Sequence, residues 1–404
     1  MVEIILKKTF KILILMQLLF TFASADEFAS LLDDPTYPYN LNLTGYYGRM
    51  TFSVPYELKD RVNFWINIYT RYYAWQSVLH DTKYPDIAYI VVDNRDSKQN
   101  KSAVKNHYNK ILLSLHKNKY PNTIEERRIY NLFANVFEKN KFLNASKRLR
   151  YQDGMRNSFY KGLVRSGKYL EMMEKVFIAN KIPVELTRIA FVESMFNTNA
   201  YSTAQAVGIW QFMEATGQQF MTINSLVDER KDPFISTVGA AKLLKANFKT
   251  LKNWELAVTA YNHGASGLKK ACDKYYTKSL SHLINNYKGN TFGFASKNFY
   301  SSFLAALIVE RNANFYFGKV NRLAPEKYEI LEIKDKIFLS SILKKTGQHL
   351  NNIKNLNPAL KRTVLSSAKP IPKGYRLRLP HGTKSVEVAS NFGNEVELKT
   401  FNLQ

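Results

Sequence analysis

The sequence predicts a mainly α-helical chain, and three observations carry that prediction. Apolar residues recur at i, i+3 and i+4 through long stretches such as RVNFWINIYTRYYAW and RRIYNLFANVFEKNKFL. From about residue 169 to 318 nearly every segment has this spacing and is broken by Gly, Pro or Asn. Strand-like alternation is confined to short runs, chiefly KYEILEI and GYRLRLP near the C-terminus.

Taken in order, the chain opens with Lys7, Lys8 and Lys11 ahead of the apolar run ILILMQLLFTF. Ala23-Ser24-Ala25 then supplies small residues at a signal-peptidase spacing, so 1–25 reads as a cleavable secretory signal. Its apolar core is short for a membrane span, and no later stretch is long and apolar enough. The expected product is therefore exported to the periplasm or cell envelope, without a transmembrane segment after cleavage. With no cysteine near the cleavage site a lipid anchor there is not supported, and the only cysteine, Cys272, has no intramolecular partner.

Residues 26–150 are expected to be mostly helical after a Pro-, Tyr- and Gly-rich start, DDPTYPYNLNLTGYYGRM. DIAYIVVD suits a short strand, although its length alone does not decide. Residues 151–320 follow as a helical domain. Within it Pro183 suits a first helical turn, and Asn253 and Gly264 bracket WELAVTAYN as N-cap and C-cap. Trp254, Ala257, Val258 and Tyr261 share a face of that helix. Residues 325–381 read as a small, separate strand–helix–helix–strand module, with 382–404 as a tail.

The net charge of +25 and a sequence pI near 9.7 suit an anionic partner. The basic residues are spread along the chain, as in ASKRLRYQDGMR and GLKKACDKYYTK, and no recognition-module motif accompanies them. Nucleic acid is accordingly not expected as a partner.

Glu193 interrupts this pattern. In RIAFVESMF it falls at i+7 from Leu186 with Ile189 and Ala190 between, on one helix face, so the carboxyl points where apolar neighbours point. A carboxyl there without a partner raises its pKa and stays protonated. Paired with a lysine or turned to water at the helix end, it would be unremarkable.

Four stretches line up around it: VES at 192–194, GIWQFMEATG at 208–217, DERKDP at 228–233 and AYNHG at 260–264. Together, in this order and spacing, they resemble the lysozyme-like (SLT) catalytic domain of the lytic transglycosylases that cleave bacterial peptidoglycan, and most of all the D type. The resemblance covers about residues 150–318 and extends more weakly through VNFWINIYTRY, LHDTKYPDIAY and RSGKYL.

It implies that Glu193 is the catalytic acid and then base. The implied reaction cleaves the β-1,4 bond from N-acetylmuramic acid to N-acetylglucosamine and leaves 1,6-anhydro ends, with peptidoglycan glycan strands as substrate and neither metal nor cofactor. The alternatives are a hydrolytic muramidase of the same fold and a catalytically silent peptidoglycan-binding protein. Ser194, Gly208, Gln211, Met213, Tyr261 and Asn262 are implied as substrate-side residues, Gly208 through a tight helix entry beside the sugar. Trp210 reads as a core anchor.

Most glycosidases pair two carboxylates, which makes Asp228 and Glu229 the obvious second candidates, but the resemblance places them in a structural turn. His263 stands where relatives more often carry a small residue. A downstream tyrosine near the catalytic Glu in many relatives aligns here with Phe299 or Tyr300. The C-terminal module resembles a LysM peptidoglycan-binding domain, through LSSILKKTG, LNNIKNLNP and GYRLRLP.

Overall fold

The computed structural model describes residues 52–96, 100–383 and 395–399. The expected signal at 1–25 and the irregular start as far as 51 lie outside the described residues. The mainly α class holds, with about 53% of the described residues helical and small sheets beside the helices.

After a short 3-10 turn the chain forms α1 (Lys59–Thr70). Strands β1 (Gln76–Asp81) and β2 (Ala88–Asp93) pair antiparallel, and helices α2 (Lys101–Asn118), α3 (Ile124–Leu132) and α4 (Lys141–Ser146) follow. Strand β3 (Leu149–Asp153) returns to the other edge of β1, giving the order β2-β1-β3. Leu79 and Tyr89 from this sheet meet Leu112, Phe133 and Ala145 from the helical side in one apolar core. Helices therefore outweigh strands in the described part of 26–150, where DIAYIVVD and QSVLHD form strands; β3 spans the expected boundary at 150.

The helical domain continues with α5 (Arg156–Ser166), α6 (Leu170–Ala179), the 3-10 turn Val184–Arg188, α7 (Ile189–Ser194) and α8 (Glu214–Gly217). Then come α9 (Pro233–Leu251), α10 (Trp254–His263), α11 (Ala265–Tyr275), α12 (Leu280–Asn286), α13 (Phe294–Arg311) and α14 (Ala313–Phe317). Helix α13 is buried on almost every face, as a helix at the centre of a packed domain must be. Helices α1, α7 and α10 all pack against it.

Capping fixes the flanking helices. Asp232 accepts hydrogen bonds from the Phe234 and Ile235 amides at the start of α9, with Pro233 in the first turn. Asn253 caps α10 through the Leu256 amide, and Gly264 ends it at φ +91, a conformation that favours glycine.

The C-terminal module runs β4 (Tyr328–Ile333), α15 (Leu339–Thr346), α16 (Leu350–Leu356), α17 (Arg362–Leu365), β5 (Arg376–Pro380) and β6 (Val396–Lys399), with antiparallel order β5-β4-β6. Strand β6 lies within the expected tail, so that segment completes a sheet edge. The period-2 pattern of GYRLRLP works as expected, with Tyr375, Leu377 and Leu379 buried and Arg376 exposed.

The module is not separate from the helical domain. Val227 sits in the module's core among Leu331, Leu360 and Leu377. The Asp228 amide donates to the Ala359 carbonyl (2.8 Å) and the Lys361 amide to that of Leu226 (2.9 Å). Arg378 forks onto the Asp232 carboxylate, which is itself buried. The polar face of β5 thus ends in an ion pair across the seam.

Removing one partner of a buried ion pair leaves the other charge uncompensated. Arg378→Ala is expected to lower the unfolding free energy by about 3–5 kcal/mol. Asp232→Ala should cost about 1 kcal/mol more, because the N-cap of α9 goes with it. Urea titrations of the two variants check both the size and the order.

Candidate functional site

Helix α7 is short, and the chain leaves it through two consecutive left-handed residues, Met195 (φ 51) and Phe196 (φ 57). Neither is glycine, so the reversal is strained and must be held by its surroundings. The Arg165 guanidinium of α5 donates twice to the Met195 carbonyl, at 3.0 and 2.6 Å. Ser194 Oγ donates to the Ile209 carbonyl (2.7 Å) and accepts from the Asn197 amide (3.2 Å). Phe191 stacks on Phe159 beneath the helix, with ring centroids 4.7 Å apart. Glu193 thus projects from a segment clamped on three sides.

Its carboxyl is partly buried and takes no part in the hydrogen bonds or ion pairs among the described residues. Burial alone pushes its pKa from 4.5 up to about 8, and no neighbouring charge contributes. A group in this state carries its proton at neutral pH and can deliver it to a poor leaving group.

Two phenols lie close enough to the carboxyl to feel its charge. Tyr261 of α10 donates to the Trp210 carbonyl at 2.8 Å, and its pKa is raised well above the usual value by burial and by Glu193. Tyr69 of α1 is almost fully buried, and burial, with Glu193 adding to it, raises its pKa too. Both therefore remain neutral phenols.

The other candidates sort by their contacts. Trp210 is fully buried, stacked on Phe177 and bonded to Thr237. Gln211, in the left-handed region at φ 49, spends its amide hydrogens on the Gly208 (2.8 Å) and Ala200 (3.2 Å) carbonyls. Met213 is exposed just before α8, and exposed Asn262 accepts from Ser296 Oγ. Ser194 serves the backbone clamp and makes no bond to Glu193.

Gly208 requires a correction. It opens no helix, lying instead in a turn at φ +82, where an added Cβ would come within 2.0 Å of the Arg230 carbonyl oxygen. Its role here is close backbone approach to the DERKDP turn. In that turn Asp228 grips Arg230 through both carboxylate oxygens, and Glu229 accepts from the Thr222 amide. Neither carboxylate acts electrostatically on Glu193. His263 packs edge-on against Phe292 at 5.0 Å.

Phe299 and Tyr300 differ in their surroundings. Phe299 lies nearly parallel to Tyr261, with centroids 6.2 Å apart, whereas buried Tyr300 responds to Glu255 and not to Glu193. Tyr69, which feels the charge of Glu193, was not singled out by sequence reasoning. Its spacing from Val62 and Trp65 marks an apolar helix face, a signal that core aromatics share.

The raised acid has a stability signature. In the unfolded chain Glu193 titrates near 4.5, whereas the native state holds its proton up to about 8. Between those values the native state binds more protons, so stability is greatest below the lower value and falls as pH rises through the higher. Glu193→Gln removes this loss. Relative to wild type the variant should gain about 3 kcal/mol between pH 4.5 and 8.5, allowing for the partial exposure. Chemical denaturation across that range checks the sign and size.

Comparison with known proteins finds likenesses over the same segment. Residues 178–284, which span Glu193 to Asn262, match the Transglycosylase SLT domain. The chain is also 24% identical over 241 residues to the Membrane-bound lytic murein transglycosylase D of Escherichia coli K12, covering 56% of this chain and 51% of the relative. The protein of the same name from Escherichia coli O6:H1 strain CFT073 gives the same figures. The chain therefore spans about half the length of the curated relatives it matches. No described helix is long and apolar enough to cross a membrane. The segment that holds the unpartnered carboxyl is thus the segment that matches the SLT domain.

Proposed function

We propose that this protein is a lytic transglycosylase of the cell envelope that cleaves the N-acetylmuramic acid to N-acetylglucosamine β-1,4 bond of peptidoglycan. The observation that carries the proposal is the partnerless carboxyl of Glu193, protonated near neutral pH with no second carboxylate acting on it. The SLT domain match over the same residues supports the substrate class.

In this reading Glu193 gives its proton to the bridging oxygen as the bond to C1 breaks. The 2-acetamido group of the muramic sugar stabilises the anomeric carbon. Glu193, now a carboxylate in a site that disfavours its charge, takes the proton of the same sugar's 6-hydroxyl as that oxygen closes on C1. One C–O bond is lost and one is formed, the proton returns to Glu193, and no water is consumed. An acid whose charged form is destabilised by burial is suited to both steps. Tyr261 stands beside the carboxyl, and exposed Met213 and Asn262 are the residues offered to the glycan.

The C-terminal module is proposed to hold the same polymer through its N-acetylglucosamine residues. Because the seam is packed, bound glycan would be presented in a fixed orientation to the helical domain.

Mass spectrometry of products from purified peptidoglycan sacculi tests the reading. Wild-type protein should release muropeptides ending in 1,6-anhydro-muramic acid, 18 mass units lighter than hydrolytic products by the one water not added. Glu193→Gln should lower that release by at least about 100-fold, the lower range for loss of a general acid. Reducing ends that depend on Glu193 would mean a hydrolase. Binding to sacculi without any Glu193-dependent product would mean a wall-binding protein.

A further inference from the structure

We propose that the outer face of α2, with the loop that carries Phe137, is a docking surface for an anionic phospholipid bilayer. The inference goes beyond the proposed reaction and does not depend on it.

Three large apolar side chains of this region stand in water. Phe137 is 94% exposed, Tyr120 74% and Leu113 41%. The inner face of the same helix is ordinary core, with Tyr108, Ile111, Leu112 and Leu115 buried. Leu113 lies on the outer side between exposed Lys110 and Lys117, its neighbours at i−3 and i+4. Tyr120 follows just past the helix end. Phe137 comes from the loop after α3. It lines one open depression of about 520 Å³ with His116 and Lys119 from the end of α2 and with Lys139 and Lys141. Apolar tips and cations are therefore interleaved on a single surface.

The charge of that surface is one-sided. Helix α2 holds four lysines and two histidines and no carboxylate. The carboxylates that follow it are engaged: Glu125 with Arg128 at 2.7 Å, Glu138 with Arg148 at 2.8 Å, and Glu126 with the Asn122 amide. Lys110, Lys117, Lys119 and Lys139 make no ion pair among the described residues. Cations at the end of α2 suit its dipole. Lys139 and Lys141 stand instead at the start of α4, the end where a helix disfavours them.

This combination of groups selects the partner. A soluble polyanion would meet the lysines and leave Phe137 and Tyr120 in water. A folded protein would need a continuous apolar centre, whereas each apolar tip here has charged neighbours. An anionic bilayer uses both kinds of group. The apolar side chains enter between lipid chains while the lysine ammonium groups reach the lipid phosphates.

The test is sedimentation with vesicles at physiological salt, using the chain from Asp26 onward, which lacks the expected signal. One set of vesicles is pure phosphatidylcholine, and the other is phosphatidylcholine mixed with phosphatidylglycerol. Wild type should sediment with the phosphatidylglycerol vesicles and stay in solution with the neutral ones. Phe137→Ser should weaken that partition at least about tenfold, through loss of a ring that enters the lipid. Lys117→Gln, Lys119→Gln and Lys139→Gln together should weaken it on the order of 100-fold, about fivefold for each lysine. All four side chains are exposed, so thermal unfolding of both variants should match wild type. Lys242→Gln, Lys249→Gln and Lys252→Gln, on α9 and its cap, remove as much charge elsewhere and together should leave binding as in wild type.

Equal loss in the two triple variants would mean attraction by net charge alone and would overturn the docking surface. Full binding by Phe137→Ser would overturn it too, as would no binding of wild type to phosphatidylglycerol vesicles. Binding to purified sacculi that depends on Phe137 and the lysines, without binding to vesicles, would assign the surface to the wall polymer instead.

Discussion

A carboxyl group removed from water without a partner has one inexpensive state, the neutral one, and the helical domain is organised around keeping Glu193 there. Holding the group in place costs something locally. Met195 and Phe196 occupy left-handed backbone, Gln211 does the same across the site, and none is glycine. Strain of this kind persists only where neighbours over-determine the geometry. Here the Arg165 fork, the Ser194 bond to Ile209 and the Phe159–Phe191 stack supply that determination. The residues around Glu193 are thus divided between those that hold it in place and those left exposed beside it.

Helix α13 is the element through which these constraints communicate. It is apolar over most of its surface because α1, α7 and α10 all lean on it. Its buried serines differ: Ser302 bonds back to the Phe299 carbonyl and Ser296 donates to the exposed amide of Asn262, whereas the Ser301 hydroxyl has no hydrogen-bond partner among the described residues, a cost the helix carries.

Much of the arrangement was legible in the sequence. Asn253 and Gly264 marked the limits of α10, Glu193 fell on an apolar face, and the alternation of GYRLRLP separated its buried and open faces. These are local signals, governed by period and cap chemistry. What stayed hidden depended on distant contacts. A short apolar run such as DIAYIVVD needs a partner strand to become a sheet, and the partner QSVLHD carries polar residues that disguise it. Strand β6 is too short to announce itself. Tyr69 looked like any aromatic on a helix face, since nothing within α1 reveals which helix it will meet. The helix entry expected at Gly208 is a turn instead, because a positive φ and a close carbonyl are properties of a turn and its neighbour, not of one motif.

The seam between the helical domain and the C-terminal module bears on how the two halves stay together. Linked modules are usually understood through the tether between them, which sets a local concentration. Here Val227 buries itself in the core of the module, Asp232 finds its cation on β5, and backbone bonds from Leu226 and Asp228 run into the segment at 359–361. The connecting residues 319–327 are by contrast mostly exposed and coil. Covalent continuity is therefore the least important part of the junction. A chain nicked in that connection should remain one particle, its fragments parting only when the helical domain itself gives way.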